Sequence, residues 1–167
     1  MPNRTPIDIL KEAILLERRG HAFYNKVAEQ SDDQDLKAFF RTMAQEEVRH
    51  IEILEGQFAA YAQNQQFLAL SSEDREASPV APSVLTREVQ EKMAAANFEA
   101  AAISAAMLME ERAVALYSHR ADATRDPAEE ALYRWLADWE RSHLSFLAQL
   151  DKELREAIWN DNQFWPF

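Results

Sequence analysis

The chain has 167 residues, no cysteine, two glycines and a formal net charge of -11, a length that suits one domain with a substantial core of its own. Without cysteine there are no disulfides, thiolate nucleophiles, cysteine-held zinc or iron–sulfur centres, so any metal must be bound by oxygen and nitrogen. The acidity comes with no basic run, which disfavours a nucleic-acid surface; with no leader-like start and no apolar run of bilayer length, the chain reads as soluble, cytoplasmic and without a membrane partner.

Alanine, glutamate, leucine and glutamine are abundant and no segment alternates β-branched residues, so the fold class reads as all-α. Thr5-Pro6-Ile7-Asp8 combines a cap, a proline at the first helical position and an acid at the third, and starts a helix over about 6–30. Its inward stripe is Leu10, Ile14, Glu17, His21 and Tyr24. Ser31-Asp32-Asp33 breaks that pattern and caps a second helix over about 33–66, with Leu36, Phe39 or Phe40, Met43, Glu47, His50, Leu54 and Phe58 inward. Prolines 79 and 82 and the run Ser71-Ser72-Glu73-Asp74 stop helix propagation over 70–83. A long connection over about 67–96 follows, with room for a short helix near 86–94. Asn97 caps a third helix over about 98–123, and Asp126-Pro127-Ala128-Glu129 repeats the first start signal ahead of a fourth helix over about 127–158. Leu132, Leu136, Trp139 or Glu140, His143 and Leu147 lie on its buried side. Short links make helices one and two, and three and four, antiparallel hairpins joined by one long crossover. This is a ferritin-like four-helix bundle in a single domain spanning 1–167. The aromatic ending Phe164-Trp165-Pro166-Phe167 is suited to fold back or to meet a second subunit, and together with the long helices it suggests a homodimer.

Glu47-Val48-Arg49-His50 places a carboxylate and an imidazole three residues apart on one helix face, a metal-ligand spacing that returns as Glu140-Arg141-Ser142-His143. With 19 glutamates and 4 histidines, one Glu-x-x-His is weak by itself. The offset is stronger. Glu140 lies 93 positions after Glu47 and His143 lies 93 after His50, and the same shift carries Glu17 onto Glu110 and Tyr24 onto Tyr117. Apolar neighbours follow, Phe39 onto Leu132 and Met43 onto Leu136 among them, so the chain reads as two related helix pairs. The candidate ligand set is Glu17, Glu47, His50, Glu110, Glu140 and His143. Two glutamates can bridge two cations while each histidine and each remaining glutamate completes one, a donor set that suits iron or manganese and also accepts zinc.

The set, with Leu16-Glu17-Arg18-Arg19-Gly20-His21-Ala22-Phe23-Tyr24 and the closing Phe164-Trp165, resembles the rubrerythrin family of the ferritin-like di-iron superfamily. The resemblance covers all four helices. It implies two irons reacting with peroxide or oxygen, or oxidising ferrous iron, in oxidative-stress defence or iron handling. The catalytic residues it implies are Glu17, Glu47, Glu110 and Glu140, with Tyr24 and Tyr117 beside them. Rubrerythrins usually add a rubredoxin-type iron held by four cysteines, which this sequence cannot supply, and an extra ligand glutamate one turn after the third-helix ligand, where Ala113 stands. An external electron donor or a simpler iron-oxidising role follows. Two other functions stay open: metal binding or iron delivery without turnover, and a structural or partner-binding bundle that holds zinc.

Around the set, Tyr24 and Tyr117 either hydrogen-bond the opposing ligands or pack with satisfied hydroxyls. His21, one turn from Glu17, is a seventh ligand or a packed, hydrogen-bonded residue. His119 reads as surface, Met43, Met107 and Met109 as core filling, and Glu46 and Glu111 as solvated neighbours of ligands.

Overall fold

The computed structural model describes residues 4–95 and 97–161, and every regular element among them is a helix. None is long and apolar enough to cross a membrane. The aromatic stretch at 164–167 and the side chain of Asn97 lie outside what is described.

Helix α1 (Pro6–Gln30) begins in a reciprocal capping box: Asp8 N–H donates to Thr5 Oγ1 at 3.2 Å and Thr5 N–H donates to Asp8 Oδ2 at 3.1 Å. Helix α2 (Gln34–Asn64) starts where Asp33 Oδ1 accepts from the amides of Asp35 and Leu36, and it stops where Gln65 turns left-handed at φ 57°. Helices α6 (Asn97–Ala123) and α7 (Pro127–Asp161) form the second hairpin. The start of α7 departs from that of α1. Asp126 caps the amides of Ala128 and Glu129, but Glu129 turns away from the cap to pair with Arg120 through two bonds of 2.6 and 2.9 Å.

Between the hairpins the chain forms three short helices: α3 (Ser72–Glu76), α4 (Ala81–Val84) and α5 (Arg87–Ala95). The first two fall in the stretch where the sequence predicts no helix. Single turns survive because Ser71 caps Asp74 N–H at 3.0 Å and Pro82 sits in the first turn of α4, where a missing N–H is harmless. This connection runs back along α2. Gln57 brackets Leu68 with two bonds of 2.9 Å, Arg49 meets Asp74 at 2.9 Å, Glu46 takes the amides of Val80 and Ala81, and Lys92 pairs with Asp33 and Asp35. Later residues thus meet earlier turns of α2.

The core falls into two apolar clusters, and each long helix contributes to both. Along α1 the sequence runs Ile9, Leu10 and Ala13 in one cluster, then Glu17, then Tyr24, Val27 and Ala28 in the other. On α2 the order reverses, with Phe39, Phe40 and Met43 before Glu47 and His50, and Leu54 after. On α6, Ile103 and Ala106 precede Glu110, with Tyr117 and Ala121 after it; on α7, Leu132 and Leu136 precede Glu140 and His143, with Leu147 and Leu150 after. A single acidic and imidazole layer therefore interrupts the core of all four helices at one height. Helices α2 and α6 run the same way, which is why a long return connection must separate them.

Candidate metal centre

Helical periodicity alone aims these groups inward, because each occupies the turn where an aliphatic residue would otherwise continue the stripe. Glu17, Glu47, Glu110 and Glu140 are at most 3 % exposed, and His50 and His143 are fully buried. They form two overlapping groups. Glu17, Glu47, His50 and Glu140 bring one donor atom each within 4.8 Å of one another, and so do Glu47, Glu110, Glu140 and His143. The glutamates of the two Glu-x-x-His motifs belong to both groups. Each group adds one histidine and one glutamate of its own.

Both imidazoles present Nδ1 to the carboxylates. His50 Nδ1 lies 2.8 Å from Glu140 and 3.2 Å from Glu17, and His143 Nδ1 lies 3.2 Å from Glu140 and 3.8 Å from Glu110. Yet neither oxygen of Glu140 has a partner in hydrogen-bond geometry, and neither does His143 Nδ1. Buried polar atoms are rarely left this way. Glu140 and His143 Nδ1 thus crowd the same volume as the other donors without hydrogen bonds of their own, an arrangement suited to holding metal.

The electrostatics agree. Burial, reinforced by the charge of Glu140, pushes the Glu47 and Glu110 carboxyls well above the ordinary range. Burial acts on Glu140 in the same direction, but the two imidazoles outweigh it and hold that carboxyl well below. Burial would neutralise the imidazoles, and the carboxylates overcome it: His50 is raised well above its usual value and His143 to about 10. Protons on these groups occupy the places that cations would take.

The tyrosines link the halves. Tyr24 donates its hydroxyl to Glu110, and Tyr117 donates to Glu17, each crossing to the glutamate of the other hairpin. Burial and the adjacent carboxylate keep both phenols protonated far above their usual range, so they act as donors. His21 is engaged elsewhere: its Nδ1 lies 2.9 Å from the Ala44 carbonyl and its Nε2 lies 2.9 Å from the Asn25 amide, so it belongs to neither group. His119 and Glu111 are exposed, Met43 is fully buried, and Met107 and Met109 pack partly buried against the core.

Glu46 corrects the reading that placed it in solvent. It is only 7 % exposed, and one oxygen accepts the amides of Val80 and Ala81 while the other meets His143 Nε2 and, at 3.3 Å, the indole N–H of Trp139. Its carboxyl is buried, yet His143 and the backbone donors bring it below the ordinary value. The repeat offset contained the signal: it carries Glu46 onto Trp139, an aromatic that marks the position as inward. Trp139 in turn meets His50 edge-on, with centroids 5.3 Å apart. His143 is thus met by both a carboxylate and an indole N–H, whereas His50 touches the indole only ring to edge. The same offset pairs Gly20 with Ala113, and both line a cavity of about 10 Å³ against Glu47 and Glu140.

The family model described as Rubrerythrin matches residues 8–151. The chain belongs to the rubrerythrin family. That span contains all six candidate ligands, both tyrosines and Glu46, and the all-α architecture accords with a ferritin-like bundle. Neither the curated proteins nor the solved structures compared with it gives a match. A rubrerythrin-family bundle with a buried glutamate and histidine layer fits a di-iron protein.

Proposed function

We propose that the protein is a di-iron oxidoreductase that reduces peroxide or oxygen, with Glu17 and His50 holding one iron, Glu110 and His143 the other, and Glu47 and Glu140 shared. The observation that carries this reading is the overlap of the two four-residue groups on the pair Glu47 and Glu140. Two irons so held would supply the two electrons that cleave an O–O bond. The remaining work falls to the protein. Tyr24 and Tyr117 orient Glu110 and Glu17, Glu46 orients His143 through Nε2, and the two apolar clusters exclude bulk water on either side. The notch beside Gly20 and Ala113, about 10 Å³, has room for one water-sized molecule, which suits a small oxidant and no larger organic substrate.

Titrating the chain with ferrous iron under anaerobic conditions, then adding peroxide, tests the proposal. The expected result is uptake of about two irons per chain and an absorption band of an oxidised, bridged pair. Loss of both in Glu47→Ala and Glu140→Ala is also expected. No uptake, or undiminished uptake in those variants, overturns it. A second reading, oxidation of ferrous iron without sustained turnover, is favoured by the lack of cysteine to hold an electron-feeding iron within these residues. Continuous peroxide consumption with a supplied reductant separates the two.

A further inference from the structure

The notch beside Gly20 and Ala113, about 10 Å³, admits a peroxide-sized molecule but no organic electron donor, and no cysteine within these residues can hold an electron-feeding iron. Electrons from outside must therefore cross the side chains that wall the layer. On the side of α2 and α7 that wall is a pair of indoles. Trp139 is 5 % exposed; its Nε1 lies 3.2 Å from His143 Nε2, and its ring meets His50 edge-on at 5.3 Å. One indole thus touches a histidine of each metal group. Trp135, one turn earlier on α7, lies 5.2 Å from Trp139 and 5.6 Å from His50 between ring centroids, and it is only half-buried. From the layer outward the order is His143, Trp139, Trp135, solvent.

The other oxidisable rings beside the layer lead into the core. Tyr117 is fully buried and stacks at 5.8 Å on Tyr133, whose own buried hydroxyl has no acceptor among the described residues. A phenol gives up its proton when it loses an electron, and Tyr133 has no group to take it. Tyr24, also fully buried, meets Phe23, a ring far harder to oxidise. An indole can lose an electron and keep its N–H proton, so the tryptophan pair is the passage that stays open to the surface.

We propose that Trp139 and Trp135 carry oxidising equivalents from the metal layer to the surface, where a small one-electron donor of the ascorbate class restores them. The inference rests on the di-iron reading and adds the route by which peroxide reduction continues once the iron has given up its own electrons. Peroxide reaching the oxidised protein draws one electron from Trp139; Trp135 refills it and becomes the radical cation, and the donor refills Trp135. Two such passages balance. Two donors lose one electron and one proton each, one hydrogen peroxide gains two electrons and two protons, its O–O bond breaks, and two waters form.

The test uses the full chain carrying Trp159→Phe and Trp165→Phe, which leaves Trp135 and Trp139 as its only tryptophans. The chain is loaded with ferrous iron, its uptake is measured, the iron is oxidised, and one further equivalent of peroxide is added without a donor. Electron paramagnetic resonance of rapidly frozen samples should show an organic radical whose hyperfine pattern changes when the tryptophans carry ring deuterium, and peptide mass mapping should find oxygen added to Trp135. The iron-free chain given the same peroxide should show neither, and ascorbate added with the peroxide should remove both. In Trp139→Phe with iron bound, Trp135 should stay unoxidised. Trp135→Phe should slow ascorbate-supported peroxide consumption at least about tenfold per loaded centre, and Trp135→Tyr, which can itself be oxidised, should restore most of it. A merely structural role would leave Phe and Tyr equivalent at this position. With iron bound, the absence of a radical and of added oxygen, a radical on tyrosine in the parent, oxidation of Trp135 that survives Trp139→Phe, or equal rates for Trp135→Phe and Trp135→Tyr overturns the inference alone. Failure to take up iron overturns the di-iron reading and the relay with it.

Discussion

Two side chains that no ligand pattern singles out set the quality of the site. Glu46 fixes His143 from behind, and removing its charge leaves the imidazole free to rotate and less basic. Glu46→Gln should therefore weaken the group containing His143 and leave the His50 group nearly intact. Metal titration by calorimetry should then change from two tight equivalents to one tight and one weakened by about 10–100-fold; two unchanged equivalents would refute the role. Gly20 acts by being small. A Cβ built there would stand 3.3 Å from Glu47 Cδ and 3.5 Å from its Oε2, tight enough to push a shared carboxylate aside. In a helix interior Gly→Ala normally adds about 1 kcal/mol of stability. Gly20→Ala should hold or raise the melting temperature while lowering metal affinity. A lowered melting temperature with affinity intact would show that Gly20 serves packing.

At the scale of elements, the four long helices and their Glu and His positions were legible because two periodicities coincide: 3.6 residues within each helix and 93 between the halves. Thr5 and Asp126 announce starts through local bonds that any solvent-exposed helix end would make. What the sequence conceals depends on contacts between distant segments. Glu46 looks like a surface acid until the connection brings the Val80 and Ala81 amides to it, and Glu129 looks like half of a capping box until Arg120 takes it. Glu129 is 2 % exposed and its partner 17 %. Arg120→Ala leaves a buried carboxylate with Thr124 as its remaining side-chain donor, at a loss of about 3 kcal/mol. Urea unfolding should show that loss, and Arg120→Ala combined with Glu129→Gln should recover part of it. A single variant within about 0.5 kcal/mol of the parent would mean that the pair contributes nothing.

For the whole molecule, a charged layer through the core makes stability depend on what neutralises it. In the unfolded chain histidine titrates near ~6.5 and glutamate near ~4.3. In the folded chain His143 is raised to about 10, His50 lies well above its usual value, and Glu47 and Glu110 are raised as well. Above pH ~6.5 the folded state therefore holds protons that the unfolded state has released, and stability falls as pH rises. The His143 contribution is complete below pH ~6.5 and is lost as pH passes through about 10, and His50 acts with the same sign; so do Glu47 and Glu110 from pH ~4.3 upward. Glu46 and Glu140, both lowered, act oppositely, and their contribution is lost only in acid. A divalent cation replaces those protons, so its affinity rises with pH over the range in which the chelator-treated chain weakens. Thermal unfolding followed by circular dichroism, with chelator and with redox-silent Mn²⁺, should show the chelated melting temperature declining from about pH 6.5 to about pH 9 and the gap to the loaded protein widening. A gap that narrows towards alkaline pH would mean that the layer is neutralised by something other than metal.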